Sequence, residues 1–347
     1  MAQTSGSDLG SVNKRDYTVA DFKLYYERID TTYKTINESE IKTAIFVPKS
    51  LIQKKGGHGH GKQGTSVPLI VHWHGGGLII GAAPEPAWFP NWLQEIPLSP
   101  STPAILLSPA YRLAPESRAY DSLQDVKDFW TWLHSSSPSP LSQILAPYGL
   151  TPSLSQILTV GESAGGYLAI QSSLLYQPIS KVGAVIGQYP TLWPDVWPNV
   201  SIPENPAANK IIDDYVAGLQ PGAIRTSSPF PELTDLAGAY LGTRRILELY
   251  GRTEEEFEYT TLKYALGLKH GNNLPPFWIL QGDRDTILPK SLADEFLKQT
   301  KEAYPELKVK YTVRDGEHGW DAFYSVKRDW VADGVEFVKK GWLKGKN

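Results

Sequence analysis

The sequence predicts an α/β protein in which helices cover both faces of a mainly parallel sheet and a helical cap is added. The first observation is a series of short apolar runs of strand length, separated by segments with helical periodicity. The second is an interruption of that rhythm after about residue 190. Strands that alternate with helices favour a parallel sheet, because each parallel neighbour needs a crossover connection. The predicted buried strands are 67–73, 104–108, 156–160, 182–188, 277–281 and 308–313.

Helical periodicity is clearest in three segments. In DSLQDVKDFWTWLH (121–134), the apolar residues recur on one face. In 291–304, Ser291 is predicted as the N-cap with Asp294 three residues later, which is similar to a capping box. The closing segment is predicted to present one apolar stripe, formed by Phe323, Val326, Trp330 and Phe337.

The interruption divides the chain. The stretch TLWPDVWPNVSIPENPAANK (191–210) is dense in proline, and the helical patterns after it have no strand between them. We expect residues 191–274 to form a helical cap insertion, with residues 1–40 contributing to the cap. The sheet-containing core is then 41–190 and 275–347. A long decorated loop is the alternative interpretation of the insertion.

Composition excludes several functional classes. With 41% hydrophobic and 20% charged residues, the chain is typical of a globular protein with a large core. A net charge of -3 gives no electrostatic reason to expect nucleic acid or an anionic membrane as partner. The chain has no cysteine, so it has neither a thiol nucleophile nor a thiolate metal site.

Targeting signals and metal ligands are sparse. We expect a cytoplasmic protein without a membrane span, because we find no signal-like h-region at the N-terminus and no apolar run of spanning length. The loop KKGGHGHGKQG (54–64) places His58 and His60 where they could recruit a metal, although such runs are usually only solvated. We expect no metal or cofactor.

The stretch GESAGG (161–166) contains Gly-x-Ser-x-Gly between a predicted strand and a predicted helix. That placement is the context in which the pattern forms a sharp turn that exposes a nucleophilic serine. Gly161 and Gly165 tolerate the close backbone contacts of such a turn. Ser163 is therefore the candidate nucleophile.

A serine nucleophile needs a base, and the base needs an acid to orient it. His318 follows the last predicted strand, so it lies at the edge of the sheet where sites form in open α/β folds. Asp283 and Asp285 both follow a buried strand, and Asp285 is favoured because its turn leads straight into the next helix. The order Ser163, Asp285, His318 is the one expected of α/β hydrolases.

Three glycines end the strand in VHWHGGG (71–77). Acyl transfer places negative charge on the substrate oxygen, and each fixed N–H donor aimed at it contributes about 3 kcal/mol. We predict Gly75 and Gly76 as donors, together with the N–H of Ala164. His72 and His74 could bind a metal from one face of the strand, but structural hydrogen bonding is the favoured interpretation.

The chain resembles the hormone-sensitive-lipase-like group of α/β-hydrolase carboxylesterases, from about residue 41 to the end. The motifs that carry the resemblance are HWHGGG (72–77), YRLAPE (111–116), GESAGG (161–166), GDRDTILP (282–289) and GEHGWD (316–321). The resemblance implies Ser163, Asp285 and His318 as the triad. It also implies an oxyanion hole of Gly75, Gly76 and Ala164, and a cap built from the N-terminus and an insertion after the sixth strand.

We therefore expect a serine hydrolase that cleaves small to medium, largely apolar carboxylic esters through an acyl-enzyme. The same triad also allows amide or lactone hydrolysis, and acyl transfer or cyclisation in specialised metabolism. A non-catalytic ligand receptor on the same fold is a remote alternative. The partner is then a small-molecule ester or acyl substrate; a homodimer stays open. The predicted substrate-binding residues are Trp193, Trp197, Tyr215 and Phe230.

Overall fold

An eight-stranded sheet organises the chain in the computed structural model, which describes residues 19–52, 65–84, 88–192, 204–268 and 274–344. The strand order is β1-β2-β4-β3-β5-β6-β7-β8. The six strands from β4 to β8 in that order are parallel, whereas β1 and β2 are antiparallel additions at one edge. The strands are β1 (Tyr26–Ile36), β2 (Ser39–Pro48), β3 (Thr65–Trp73), β4 (Ile105–Pro109), β5 (Leu150–Glu162), β6 (Ala184–Gln188), β7 (Phe277–Gly282) and β8 (Val309–Arg314).

The predicted fold class is confirmed. All six predicted strands are present, and every residue of β4, β6 and β7 is buried. Full burial is expected of strands that are covered on both faces, and it explains why they read as continuous apolar runs. In β5 the sequence pattern identified only the second half, since the strand begins at Leu150.

Thirteen α-helices are described. Three 3₁₀ turns also occur, at Ile96–Leu98, Ala146–Tyr148 and Arg244–Leu249. The helices are α1 (Val19–Tyr25), α2 (Lys49–Ile52), α3 (Asn91–Glu95), α4 (Ala119–His134), α5 (Pro140–Leu145), α6 (Ala164–Leu174), α7 (Gln177–Ser180), α8 (Pro206–Ala217), α9 (Thr234–Leu241), α10 (Glu254–Thr260), α11 (Leu262–Gly267), α12 (Lys290–Ala303) and α13 (Asp329–Trp342). None of the described helices is long and apolar enough to pass through a bilayer.

The sheet has an apolar core on each face. One core contains buried side chains of α4, α6 and α12, and the other contains those of α3 and α13. Trp130 of α4 and Trp342 of α13 are both fully buried, on opposite faces. Helices therefore cover both faces, as predicted.

The prediction that residues 1–40 contribute to the cap is wrong for residues 26–36. These residues form the edge strand β1, which pairs with β2. Nine of its eleven residues are partly or fully exposed and most are polar, so the strand lacks the apolar pattern that identified the others. Tyr26 and Tyr33 are its buried residues, and the hydroxyl of Tyr33 donates to the carbonyl of Ala110 at 2.6 Å. Residues 1–18 lie outside the described residues.

Two predictions about helix positions are also wrong. The helix α12 begins at Lys290, so Ser291 lies inside its first turn and the capping position belongs to Pro289. Phe323 precedes α13 and its side chain is 49% exposed, because the loop before the helix is longer than the periodicity suggested. The buried stripe of α13 is formed instead by Val331, Val335, Val338 and Trp342.

The described part of the insertion, 204–268, is helical, and its only β-type pairing is the isolated bridge between Gly81 and Ser228. The helices α8 and α9 pack on each other, whereas α10 packs on α4 and α11 packs on α6 and α12. The second half of the insertion thus joins the helical layer of the core. The boundaries of the cap itself remain a prediction.

Candidate active site

Ser163 stands at the sharp turn between β5 and α6. Its backbone has φ 54° and ψ −119°, a strained conformation that a residue other than glycine rarely adopts. A Cβ on Gly161 would lie 2.3 Å from the carbonyl oxygen of Gly165, and one on Gly165 would lie 1.9 Å from the carbonyl oxygen of Trp73. The predicted need for glycine at both positions is confirmed. The turn presents the Ser163 hydroxyl at the beginning of a helix.

His318 and Asp285 form a hydrogen-bonded pair. The Nδ1 atom of the imidazole lies 2.8 Å from Oδ2 of Asp285, whose side chain is fully buried. The other carboxylate oxygen accepts the N–H groups of Ile287 at 3.0 Å and Leu288 at 2.8 Å. These two backbone donors fix the position of the carboxylate, which can then orient the imidazole.

The structure separates the two acid candidates. Asp283 is exposed, and within the described part of the chain its carboxylate accepts only the N–H of Gly316, at 3.2 Å. Asp285 alone bonds to His318 among the described residues. Asp285 is the third residue after the end of β7 at Gly282, and this short turn brings its carboxylate to the imidazole.

Ser163 and His318 flank the same backbone segment, which follows β6. The N–H of Ser163 donates to the carbonyl of Gln188 at 2.9 Å, and the N–H of Thr191 donates to the carbonyl of Ser163 at 2.9 Å. The ring of Tyr189, in the same segment, lies 4.6 Å from the ring of His318. The candidate nucleophile, acid and base therefore lie at the carboxyl ends of β5, β7 and β8, on one edge of the sheet.

The glycine bend lies directly against Ser163, since a Cβ on Gly75 would be 3.3 Å from the Cβ of Ser163. Gly75 is buried, and its N–H donates to Oε1 of Glu162 at 2.9 Å. The prediction that Gly75 is an oxyanion donor is therefore wrong, because its N–H already has an acceptor in the protein. Sequence reasoning missed this acceptor, although Glu162 stands next to the serine in GESAGG.

The next two glycines have the properties expected of the donor loop. Gly76 and Gly77 have φ values of 95° and 64°, and both are partly exposed. Among the described residues, no acceptor binds the N–H groups of Gly76, Gly77 or Ala164. Gly77 has open space where a side chain would begin. These three N–H groups are the candidates for an oxyanion hole.

His72 and His74 both have structural partners, as the favoured interpretation predicted. The Nε2 atom of His72 lies 2.7 Å from Oε2 of Glu162, and both side chains are buried. His74 stacks on Tyr111 with ring centroids 4.4 Å apart, and its Nδ1 lies 2.9 Å from the carbonyl of Gly75. Burial lowers the pKa of His74 to about 3, so the imidazole is neutral and Nδ1–H is the donor.

No cluster of three metal-binding side chains occurs within the described ranges. His58 and His60 lie outside them. The prediction about a metal at these two histidines is therefore left as a prediction.

Of the predicted substrate-binding residues, Trp193 and Trp197 also lie outside the described residues. The hydroxyl of Tyr215 donates to Glu116 at 2.8 Å, which ties α8 to the core. Phe230 is 58% exposed. The described hydrogen bonds and ring contacts do not join Tyr215 or Phe230 to Ser163 or His318. Their role in substrate binding stays a prediction.

Sequence reasoning also missed the buried residues behind His318. Asp321 is fully buried three residues after the histidine and accepts hydrogen bonds from Trp92 and Gln188. The motif GEHGWD contained it, but neither charge nor spacing in the sequence indicated that this aspartate is buried.

A mainly parallel sheet with a serine at a strained strand–helix turn and an Asp–His pair after later strands is the arrangement of the α/β hydrolases. The family model described as alpha/beta hydrolase fold matches residues 70–311. This chain belongs to that family.

Named relatives agree with this assignment. The probable carboxylesterase M8 of Phoma sp. is 30% identical over 329 residues, which cover 91% of this chain and 97% of that protein. The probable carboxylesterase clz11 of Cochliobolus lunatus is 32% identical over 200 residues, which cover 54% of this chain and 87% of that protein.

Solved structures share the fold at low sequence identity. Thermogutta terrifontis esterase 2, phosphonylated by sarin, aligns with a TM-score of 0.56 at 17% identity and covers 90% of this chain and 93% of its own. Esterase B from Lactobacillus rhamnosis aligns with a TM-score of 0.56 at 15% identity and covers 92% of this chain and 85% of its own. These likenesses support the fold of this chain.

Proposed function

We propose that this protein is a carboxylesterase that hydrolyses carboxylic esters through an acyl-enzyme on Ser163. The observation that carries the proposal is the pair of His318 and Asp285, 2.8 Å apart, with the His318 ring against Tyr189 in the segment that also bonds the backbone of Ser163. The two relatives named as probable carboxylesterases support the same reaction.

The first half of the reaction forms the acyl-enzyme. His318 takes the proton from the Ser163 hydroxyl as the oxygen attacks the ester carbonyl. Asp285 holds the imidazole by Nδ1, which leaves Nε2 to face the hydroxyl, and its charge stabilises the imidazolium that forms. When the tetrahedral intermediate collapses, His318 returns the proton to the leaving alcohol.

The oxyanion is bound by backbone donors. No described residue accepts a hydrogen bond from the N–H groups of Gly76, Gly77 or Ala164, and the glycine bend lies against the serine. Such donors act without reorganising during the reaction, so they stabilise the transition state more than the ester itself. In the second half, water attacks the acyl-enzyme with His318 again as the base.

The substrates that we propose are small to medium, largely apolar esters, enclosed by a cap that includes α8 and α9. The contact that fixes this cap is the buried carboxylate of Glu116, which accepts from Tyr215 at 2.8 Å and from Arg225 at 2.7 Å. A series of p-nitrophenyl esters of increasing acyl length tests the size preference. Equal activity on all lengths would contradict an enclosed acyl pocket.

The reaction is tested by replacing the nucleophile. Ser163→Ala should lower kcat on a short p-nitrophenyl ester by about 10⁶-fold, and it should leave the fold intact. Ser135→Ala is the matched control, because this exposed hydroxyl lies outside the site. Near-wild-type activity of Ser163→Ala would disprove the assignment.

A further inference from the structure

We propose that Asp321 is a positioning residue for the reaction, holding His318 in its working orientation through Tyr189 and through the elements that Asp321 bonds. The inference rests on the proposed function, since it assigns a role behind the proposed base. It concerns a carboxylate that touches neither Ser163 nor Asp285 through any described hydrogen bond.

Asp321 joins three parts of the fold. Its Oδ2 atom accepts the indole N–H of Trp92 in α3 at 3.1 Å and the side-chain amide of Gln188 at the end of β6 at 2.7 Å. The hydroxyl of Tyr189 lies beside the same carboxylate and interacts with it. The side chain is completely buried. The carboxylate therefore fixes the loop of His318 to the sheet and to α3.

The same loop is fixed to α3 at further points. The N–H of Asn91 donates to the carbonyl of Ala322 at 2.9 Å, and Glu95 accepts the N–H of Val326 at 2.8 Å. These bonds hold the loop after Asp321, whereas Asp321 bonds the loop to β6 and to α3 at once.

Tyr189 connects this anchor to the imidazole. Its ring lies 4.6 Å from the ring of His318 at an angle of 63°, and its hydroxyl lies at Asp321. The backbone of Tyr189 is fixed as well, with φ 34° and an N–H that donates to the carbonyl of Leu280 at 2.7 Å. Tyr189 thus contacts the ring of His318, while Gln188, the residue before it, bonds Asp321 at the other end of the turn.

The ring of Tyr189 restrains a rotation of the His318 imidazole that the hydrogen bond to Asp285 allows. A single hydrogen bond to Asp285 fixes Nδ1 of His318 but allows the imidazole to rotate about that bond. The ring of Tyr189 closes one side of that rotation. Misplacement of a catalytic group by about 1 Å can cost 10²-fold in rate, so such a restraint has a measurable effect.

Burial makes the ionised form of the Asp321 carboxyl less favourable than the neutral form. Burial raises the pKa of Asp321 to about 6, although Gln188, Trp92 and Tyr189 act in the opposite direction. A carboxyl pKa that is raised on folding adds stability only at low pH, and that contribution is lost as the pH rises through 6. Among the described residues, no group forms a hydrogen bond with the Oδ1 atom of Asp321.

No cation among the described residues pairs with Asp321. The groups around it are Trp92 from α3, Gln188 from β6 and Tyr189 from the segment after β6. Glu162 and Asp285, the other charges near Tyr189, are also acidic.

The test compares Asp321→Asn with wild type at pH 8. We expect kcat to fall about tenfold or more, with KM within twofold and a melting temperature no lower than wild type. Loss of activity without loss of stability separates positioning from a structural role. An unchanged kcat, or a kcat that falls together with the melting temperature, would overturn the proposal.

Tyr189 supplies the second variant. Tyr189→Phe keeps the ring against His318 but removes the hydroxyl at Asp321, so kcat should lie between that of wild type and that of Tyr189→Leu. Tyr176→Phe is its matched control, because it removes a buried hydroxyl that donates to Leu123 on the helical layer. Wild-type activity of Tyr189→Phe would contradict a contribution of the hydroxyl, and equal activity of Tyr189→Phe and Tyr189→Leu would contradict a contribution of the ring.

A matched pair of tryptophans tests the third contact. Trp92→Phe removes the donor to Asp321, whereas Trp130→Phe removes a buried indole N–H bonded to Ser172 elsewhere. Trp92→Phe should lower kcat, whereas Trp130→Phe should leave kcat close to that of wild type even if both variants lower the melting temperature. If wild type itself does not hydrolyse esters, the proposed function fails; if wild type is active and these variants match their controls, only the positioning role fails.

Discussion

Glu162 should anchor the glycine bend, and its replacement gives a graded prediction. The carboxyl group accepts the N–H of Gly75 at 2.9 Å and contacts Nε2 of His72 at 2.7 Å. Glu162→Ala leaves both buried donors without an acceptor. An orphaned buried donor costs about 1–3 kcal/mol, so the free energy of unfolding should fall by roughly 2–6 kcal/mol.

Glu162→Gln should cost about half as much. The amide oxygen of glutamine can still accept from Gly75, but its NH₂ group faces Nε2 of His72. The imidazole must then carry its proton on Nδ1, which has no partner in the structure. One donor is orphaned instead of two, a cost of about 1–3 kcal/mol.

Activity should separate the two variants more sharply than stability does. Gly75 directly precedes the two glycines proposed as oxyanion donors, so releasing its N–H loosens them. Removal of one such donor costs about 10²–10³-fold in kcat, and Glu162→Ala should approach the lower end of that range. Glu162→Gln keeps the anchor to Gly75 and should stay within about threefold of wild type, far short of the loss of a donor.

Urea unfolding and p-nitrophenyl ester kinetics measure the two effects. Glu336→Gln is the control for loss of a carboxylate, because its ion pair with Lys339 is on the surface and its side chain is 66% exposed. We expect this control to change stability by less than about 0.5 kcal/mol. If Glu162→Ala unfolds at the wild-type urea concentration, or if Gln and Ala are equally damaging, Glu162 does not anchor the bend.

Two further predictions concern the acid and the buried histidine. Asp285→Asn should lower kcat by about 10⁴-fold, because the imidazole is then no longer held in its working tautomer. Asp283→Asn should keep a kcat close to that of wild type. Equal losses in the two variants would contradict the assignment of Asp285 as the acid. Burial lowers the pKa of His74 to about 3, whereas the unfolded value is about 6.5, so the unfolded state binds the proton first as the pH falls. Protonation of this group in the unfolded state should therefore lower the free energy of unfolding by about 3 kcal/mol between pH 7 and pH 4. Urea unfolding across this pH range measures the effect. A His74→Asn variant whose free energy of unfolding depends on pH as steeply as that of wild type would refute the prediction.

The sequence predicted the sheet because its central strands are buried on both faces. Such strands are continuous apolar runs, and β4, β6 and β7 were identified on that basis. The edge strand β1 was missed because an edge strand exposes most of its side chains and can be polar. Assigning residues 26–36 to the cap followed from that absence of pattern.

The residues that meet at the edge of the sheet were predictable from motif and chain order. The pairing of His318 with Asp285, rather than with Asp283, agrees with the order of strands and turns. The anchors behind them were not predictable, because Glu162 and Asp321 are identified by burial and by partners distant in sequence. The choice of Gly76 and Gly77 over Gly75 as oxyanion donors was not predictable either, because it depends on Glu162 accepting the N–H of Gly75.

The most direct test of an acyl-enzyme on Ser163 is intact-protein and peptide mass spectrometry after treatment with a fluorophosphonate. We predict one adduct per chain, located on Ser163, that forms in the wild type and is absent from Ser163→Ala. His318→Ala should react far more slowly, because the serine then lacks its base. An adduct elsewhere, or ester hydrolysis that continues at the wild-type rate after Ser163 has been fully modified, would contradict the proposal.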